Sequence, residues 1–320
     1  MDTTPFACTG PFQVFDAART AQLLGYPALL QTLTQAAGEY EAGSILSPER
    51  AAMPLGQGGV LLSMPATAAD LGVHKLVCVQ PGNARLGLPT IHGLVTACDA
   101  RTGRPLFALD GPEVTGRRTA AITLLALRAL AAGPPQDIAL IGTGTQARHH
   151  VQALACLHPQ ARIRVRGRSP ASAQAFCDSL GAVHDRIVPL HGPIPDSVDV
   201  VITVTTSTEP VYDDKPRAGR LVIGVGAFRP EMAEIGPATL AGSTLFCDDP
   251  QGARHEAGDL LRAGIAWDRL RSLASLLRDG PGTPAPFVFK SVGTGAWDLA
   301  AARVAASELQ SRAHKHPLGE

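Results

Sequence analysis

Three hundred and twenty residues carry 28 basic and 28 acidic side chains, 45% hydrophobic residues and only 4% aromatic ones. A chain of that length has room for two cores, and its formal charge of zero excludes nucleic-acid binding driven by bulk electrostatics. With Gly at 33 positions and Pro at 26, the apolar mass comes from Ala, Val, Leu and Ile, which suits an α/β enzyme and not a disordered chain.

The opening MDTTPFACTGPFQVF has no basic segment followed by an apolar one. The richest apolar stretch, Ala120 to Leu127, is far shorter than the roughly 20 residues of a membrane helix, so a cytoplasmic chain without a membrane partner is expected. A helix is predicted near Ala17 to Tyr40. Short apolar runs follow at Gly58 to Met64, Lys75 to Gln80, Ile91 to Cys98 and Pro105 to Leu109, separated by PGN, LGLP and DARTG turns, and predict a mostly β region. TAAITLLALRALAA, Thr119 to Ala132, is a strong helix former stopped by Gly133-Pro134-Pro135.

Beyond that break the texture becomes strand, glycine-rich turn, helix, strand: DIALI, GTGTQA, a helix to about Leu157, then RIRVR. A helix near Ala171 to Leu180 and the runs DVVITVT, RLVIGVG and STLFCDD continue the alternation, as parallel strands joined by crossovers do. After GPGTPAP, the segment FVFKSVGTGAWDLAAARVAASEL reads as a strand, a glycine turn and a closing helix. The expected class is α/β, a Rossmann-type domain beside a mostly β domain.

The six cysteines show no CxxC pair or histidine at metal-ligand spacing, and read as buried free thiols. The ten histidines are scattered, and the neighbours His149 and His150 point to different sides of a helix, so no metal is implied.

Gly142-Thr143-Gly144-Thr145-Gln146-Ala147 follows an apolar strand and opens a helix, the context a dinucleotide fingerprint requires. Without side chains at Gly142 and Gly144 the backbone can approach a pyrophosphate, while the helix N-terminus offers free N–H groups. An NAD site usually places an acid about 20 residues further on. Here the chain reads Arg166-Gly167-Arg168-Ser169, with no acid before Asp178. Arginine forks and a serine hydroxyl suit a 2′-phosphate that a carboxylate would repel, so NADP(H) is preferred and NAD(H) remains possible. A solvated basic turn is the bland alternative.

Almost the whole chain resembles the ornithine cyclodeaminase and mu-crystallin family. The resemblance is carried by SPERAAMP with Arg50, SMPA from Ser63, HKLVCVQPGN with Lys75 and TGRRTAA with Arg118, followed by GTGTQA, the STEPV segment near Thr205 and Ser207, VGAFRPEMAE from Val225, and SVGTGAWD from Ser291. It implies a substrate-binding and dimerisation domain, residues 1–117 with 291–320, around a Rossmann domain of residues 118–290, and a homodimer. It places Thr205, Ser207, Val225 and Gly293 beside the cofactor. Arg50, Lys75 and Arg118 are implied around the substrate carboxylate and reacting nitrogen, with Lys75 and Arg118 catalytic.

Two features of the residues themselves bear on those roles. Arg118 stands at the start of the predicted Thr119 to Ala132 helix, where an anion would meet both a guanidinium and a dipole, with Arg117 as its competitor. Lys75 caps the buried run LVCV, where a lysine needs a reason to be. That reason is hydrogen bonding or proton delivery to an imine or carbonyl centre.

Departures from the family pattern are informative. Where its cyclodeaminases carry an aspartate after VGA, this chain has Phe228, which can offer an apolar wall to the substrate ring but no acid; Glu231 and Glu234 lie three and six residues downstream as possible substitutes. Trp297 stands where the family more often has an acidic residue. The expected activity is therefore NADPH-dependent ketimine reduction, of Δ1-pyrroline-2-carboxylate or Δ1-piperideine-2-carboxylate to proline or pipecolate. The alternatives are an NAD-dependent ornithine cyclodeaminase, an amino-acid dehydrogenase of the alanine dehydrogenase kind, and a non-catalytic binder of small carboxylates.

Overall fold

The computed structural model describes residues 11–315. In chain order its elements are β1 (Gln13–Val14), α1 (Ala17–Leu23), α2 (Tyr26–Glu41), β2 (Ala51–Leu55), β3 (Gly59–Thr67), β4 (Leu71–Val79), β5 (Ile91–Asp99), β6 (Pro105–Asp110), α3 (Gly111–Leu130), β7 (Asp137–Ile141), α4 (Thr145–Leu157) and β8 (Arg162–Arg166). There follow α5 (Pro170–Leu180), β9 (Ile187–Pro189), β10 (Val200–Thr203), β11 (Leu221–Gly224), α6 (Pro237–Ala241), β12 (Thr244–Cys247), α7 (Pro250–Glu256), α8 (Gly258–Arg262), β13 (Leu270–Ser272), α9 (Leu273–Asp279), β14 (Phe287–Lys290) and α10 (Gly295–Lys315). Among the described residues they form two compact units, one up to residue 118 together with 294–315, the other of residues 119–293.

The first unit is built on a six-stranded sheet in the order β1-β6-β5-β4-β3-β2, antiparallel except for the β1–β6 pair. Alternation along β4 puts Leu71, Val73, Lys75 and Val77 on one buried face, with Met64 and Ala66 of β3 and Val95 and Ala97 of β5 beside them. Helix α10 packs on β3, β4 and α2. Its residues Ala296, Trp297, Leu299 to Ala302, Ala305 and Ala306 are all buried, the mark of a helix enclosed on every side over its N-terminal half, while from Ser307 onward it is partly exposed. Arg303 clamps it, reaching Glu39 of α2 at 2.6 Å and Asp70 at 2.8 Å.

Three local expectations need correction here. The predicted helix from Ala17 to Tyr40 is two helices, because Asp16 caps α1 and the Gly25-Tyr26-Pro27 sequence starts a second one, with proline tolerated only in a first turn. Strand β2 was not foreseen: nearly all of it is exposed, so it lacks apolar alternation, and its Pro54 fits an edge strand. Helix α3 begins at Gly111 and not at Thr119, since the Asp110 carboxylate accepts the Glu113 amide at 2.8 Å and Pro112 follows the cap.

The second unit holds an eight-stranded sheet in the order β13-β12-β14-β11-β10-β7-β8-β9, every pair parallel. Its central strands β7, β10, β11 and β14 are buried throughout, as continuous apolar runs covered on both faces must be. The FVFK strand inserts between β11 and β12, with Phe287 in register with both Leu221 and Thr244. From β7 the chain proceeds to β8 on one side and later returns to β10 on the other. That reversal opens a crevice at the carboxyl ends of β7 and β10, where such sheets bind ligands. The short elements β9, β13 and α6 to α9 were not predicted.

The cysteine expectation also needs correction: Cys177 and Cys247 are buried, Cys78 and Cys98 are half-buried, and Cys156 is exposed. Cys8 lies outside the described residues. Among the described residues no helix is long and apolar enough to cross a membrane.

Candidate active site

The glycine turn closes β7 and starts α4, with Gly144 as the N-cap and no side-chain cap on the helix's first amides. Gly142 has φ +128°, and a Cβ there would lie 2.7 Å from the Val204 carbonyl oxygen, so this position takes only glycine. Thr203, paired in register with Ile141, ends β10 beside it. Its hydroxyl oxygen and the Gln146 side-chain oxygen are buried without a hydrogen-bond partner. Uncapped amides, a bare backbone and orphaned polar atoms at a strand-order reversal fit a nucleotide pyrophosphate. Thr143 and Thr145 flank the glycine on the same turn, and the Thr143 methyl lies against Gly167.

A cavity of about 230 Å³ opens at the end of β8, lined by Arg166 to Pro170, Ala173 and Leu190 to Gly192. The Arg166 guanidinium is occupied, donating to the Gly192 carbonyl at 2.6 Å. Arg168 is exposed and makes no hydrogen bond or ion pair among the described residues, so its fork is available to a phosphate. Ser169 caps α5, accepting the Ser172 amide at 3.2 Å, and keeps its own hydroxyl proton to donate. Gly167 has a packing reason as well as a chemical one: a Cβ there would collide with Ser172 Oγ and come within 3.0 Å of the Ala173 nitrogen.

Thr205, Ser207 and Val225 share one loop cluster. Val225 is pinned by its amide to the Thr203 carbonyl at 2.9 Å, and the Ser207 hydroxyl donates to the Glu209 carbonyl at 2.6 Å. Beneath them Glu234, fully buried, accepts the amides of Thr205 at 2.5 Å, Gly226 at 2.5 Å and Ala227 at 3.2 Å. Burial pushes its pKa up, against the pull of Lys290. Lys290 is ion-paired with Asp259 at 2.7 Å, and Asp259 in turn accepts the Glu234 and Ile235 amides. Glu234 therefore has no freedom to stand in for the acid absent at Phe228, and Glu231 is mostly exposed, 3.9 Å from Arg229. The Phe228 ring is covered by the Arg229 guanidinium, 5.6 Å from its centroid, so it is less open a wall than its sequence suggested. Gly293 ends the neighbouring turn at φ +80°, its amide 3.1 Å from Asp248 Oδ2.

The catalytic candidates of the first unit meet on a residue the sequence reading did not single out. Lys75 occupies the middle of β4 and does not cap it; it is the one charge in an apolar row, 2% exposed. Its Nζ lies 2.7 Å from Oδ2 of Asp298, and Arg118 Nε lies 3.4 Å from Oδ1 of the same carboxylate. Burial lowers the Lys75 pKa to about 8; Asp298 pulls it back up, while Arg118 and then Arg50 push it down. Arg50, half-buried just before β2, is thus close enough for its charge to be felt at Lys75.

Arg118 itself sits inside α3, well past Gly111, so the helix-dipole argument for it does not hold. What remains is a buried guanidinium whose partner is Asp298 and whose other donors make no hydrogen bond among the described residues. Arg117 is accounted for elsewhere, bonded to Glu113 at 2.7 Å and to the Leu24 carbonyl at 3.2 Å. Trp297, 1% exposed, packs edge-on against Tyr40 with centroids 5.8 Å apart, a core role. The available signal for Asp298 was an acid inside the otherwise apolar AWDLAAARVAA run, since a buried carboxylate requires a partner.

The glycine crevice of the parallel sheet defines a dinucleotide-binding α/β protein, and its relatives show the class, an NAD(P)-dependent oxidoreductase acting on C=N bonds. Residues 14–312 match the ornithine cyclodeaminase/mu-crystallin family, and the chain belongs to it. It is 57% identical over 303 residues to the Δ1-pyrroline-2-carboxylate/Δ1-piperideine-2-carboxylate reductase of Azospirillum brasilense, covering 94% of this chain and 97% of that one. Δ1-Pyrroline-2-carboxylate reductase 2 of Burkholderia ambifaria is 56% identical, covering 93% and 96%. The fold matches that of Thermococcus litoralis Δ1-pyrroline-2-carboxylate reductase, solved with NADH and L-proline, at TM-score 0.83 and 23% identity over 96% of this chain and 99% of that one.

Proposed function

We propose that this chain reduces a cyclic imino acid, Δ1-pyrroline-2-carboxylate or Δ1-piperideine-2-carboxylate, to proline or pipecolate, with NADPH preferred over NADH. The observation that carries this reading is the cluster of Lys75, Arg118 and Asp298, with two cations set on one buried carboxylate and a third, Arg50, within electrostatic reach. The names of the close relatives support it.

Gly142 to Gln146 would hold the pyrophosphate, and Arg168 with Ser169 the 2′-phosphate; the reduced nicotinamide, when bound, supplies hydride equivalents. Arg118 and Arg50 bind and orient the substrate carboxylate. Lys75, with a pKa of about 8, is largely protonated at neutral pH and holds the proton that the imine nitrogen takes up. No general base is needed, because the substrate arrives already cyclised. The lyase alternative requires an acid for a second ammonium group; Phe228 offers none and Glu234 is committed to three backbone amides.

A screen of NADPH and NADH oxidation over cyclic imino acids, and over 2-oxo acids with ammonia or methylamine, tests the reading, alongside ammonia release from ornithine with NAD. Reduction of the cyclic imines with NADPH is expected. Robust ammonia release without imine reduction would reverse the assignment to the lyase, and equal KM values for the two nucleotides would overturn the NADPH preference.

A further inference from the structure

The reactive cations of the first unit pose an electrostatic problem. Lys75, Arg118 and Arg50 bring three positive charges into one region, two of them almost fully buried. The strands flanking Lys75 offer it no counter-charge, since its register partners are Met64 on β3 and Val95 on β5. From the helical layer the carboxylate that reaches Lys75 is Asp298, and it is fully buried. It lies in the first turn of α10, a 21-residue helix whose N-terminal amides favour a carboxylate there.

We propose that Asp298 is a positioning residue for the reduction, its two oxygens fixing the Lys75 ammonium and the Arg118 guanidinium side by side as proton source and carboxylate clamp. The inference rests on the imine-reductase reading for its kinetic consequence, but its geometric content stands on the ion pairs alone. One carboxylate shared by two cations has a specific advantage. When Lys75 releases a proton to substrate nitrogen and becomes a neutral amine, Asp298 remains balanced by Arg118, so no isolated charge is left in the interior. With only a lysine partner, that same step would strand a buried anion.

The chain has four lysines, Lys75, Lys215, Lys290 and Lys315, which makes direct observation practical. Protein labelled with 13C at lysine Cε is titrated by NMR without substrate or cofactor, the Lys75 signal being assigned by its absence in Lys75→Met. In Asp298→Asn the Lys75 midpoint is expected to fall by a pH unit or more from about 8, while buried Lys290, paired with Asp259, keeps its signal and reports that the protein is folded. In turnover, kcat of Asp298→Asn should drop at least about fivefold at pH 8, as the protonated fraction of Lys75 falls from one-half to about one-eleventh, and recover as the pH is lowered toward 6. L-proline affinity, held by Arg118 and Arg50, should change by less than about threefold at pH 6. Asp298→Glu restores the charge with a longer reach, so its Lys75 midpoint should return to within half a unit of the unmutated protein with kcat reduced at every pH. That variant carries the test if the asparagine protein does not fold.

An unshifted Lys75 midpoint in Asp298→Asn overturns the proposal, as does parallel loss of kcat and proline affinity with the pH profile unchanged. If the asparagine protein does not fold, a kcat of Asp298→Glu equal to that of the unmutated enzyme overturns it. A wild type that reduces no cyclic imine overturns the functional reading but not the NMR result, so the two failures are distinguishable.

Discussion

Raising the pH through 8 should switch the reaction off while easing an internal strain on the fold, and these opposite trends identify Lys75 as the titrating group. Burial takes its pKa from 10.5 to about 8 despite the attraction of Asp298. At pH 7 roughly nine-tenths of the molecules carry the charged form and at pH 9 about one-tenth, so kcat/KM, which reports the free enzyme, should fall about tenfold per pH unit above 8. Stability moves the other way. The folded pKa lies below the unfolded one, so between pH 8 and 10.5 the unfolded chain binds more protons and folding gains with rising pH. Below pH 8 the buried charge costs its full amount, about 3 kcal/mol at ~1.36 kcal/mol per pH unit. Initial rates on a cyclic imine from pH 6 to 10, with urea midpoints over the same range for wild type and Lys75→Met, provide the assay. The wild type should gain stability relative to Lys75→Met between pH 8 and 10. Constant kcat/KM to pH 9.5, or a relative loss of stability in that window, refutes the reasoning.

Arg168→Ala should weaken NADPH binding by about 1.5 to 3 kcal/mol and leave NADH nearly unchanged, since its free fork faces the cavity at the end of β8; calorimetric titration of both nucleotides checks this, and equal losses for the two would place the 2′-phosphate elsewhere. Arg118→Leu should lower kcat/KM on the imino acid by about a hundredfold, the value of one desolvated charged contact, with NADPH affinity retained; near-normal efficiency would assign the carboxylate to Arg50. Glu234→Gln places an amide where one carboxylate holds three backbone N–H groups, and should destabilise the protein by about 2 to 4 kcal/mol in denaturant titrations. A change below about 0.5 kcal/mol would show that the loop does not depend on that charge.

Sequence by itself determined what is local and what is repeated. GTGTQA could be read as a nucleotide turn because its requirements, a bare backbone at Gly142 and a helix opening directly behind, are met by neighbouring residues. The parallel strands could be read because burial on both faces forces unbroken apolar runs. Even Lys75 was visible, as a charge before an apolar run. What tertiary structure decided were the partners and the boundaries. Arg118 looked like a helix-start residue because its apolar run begins at Thr119, yet the Asp110 cap starts α3 at Gly111 and places Arg118 inside the helix. Asp298 was not singled out in the sequence, and although an acid in an apolar helix calls for a partner, nothing along the chain could tell which of 28 basic residues it would meet. That pairing exists because strand alternation turns Lys75 toward the helical layer and α10 closes over the same face of the sheet, a coincidence of two distant segments that only the folded chain brings about.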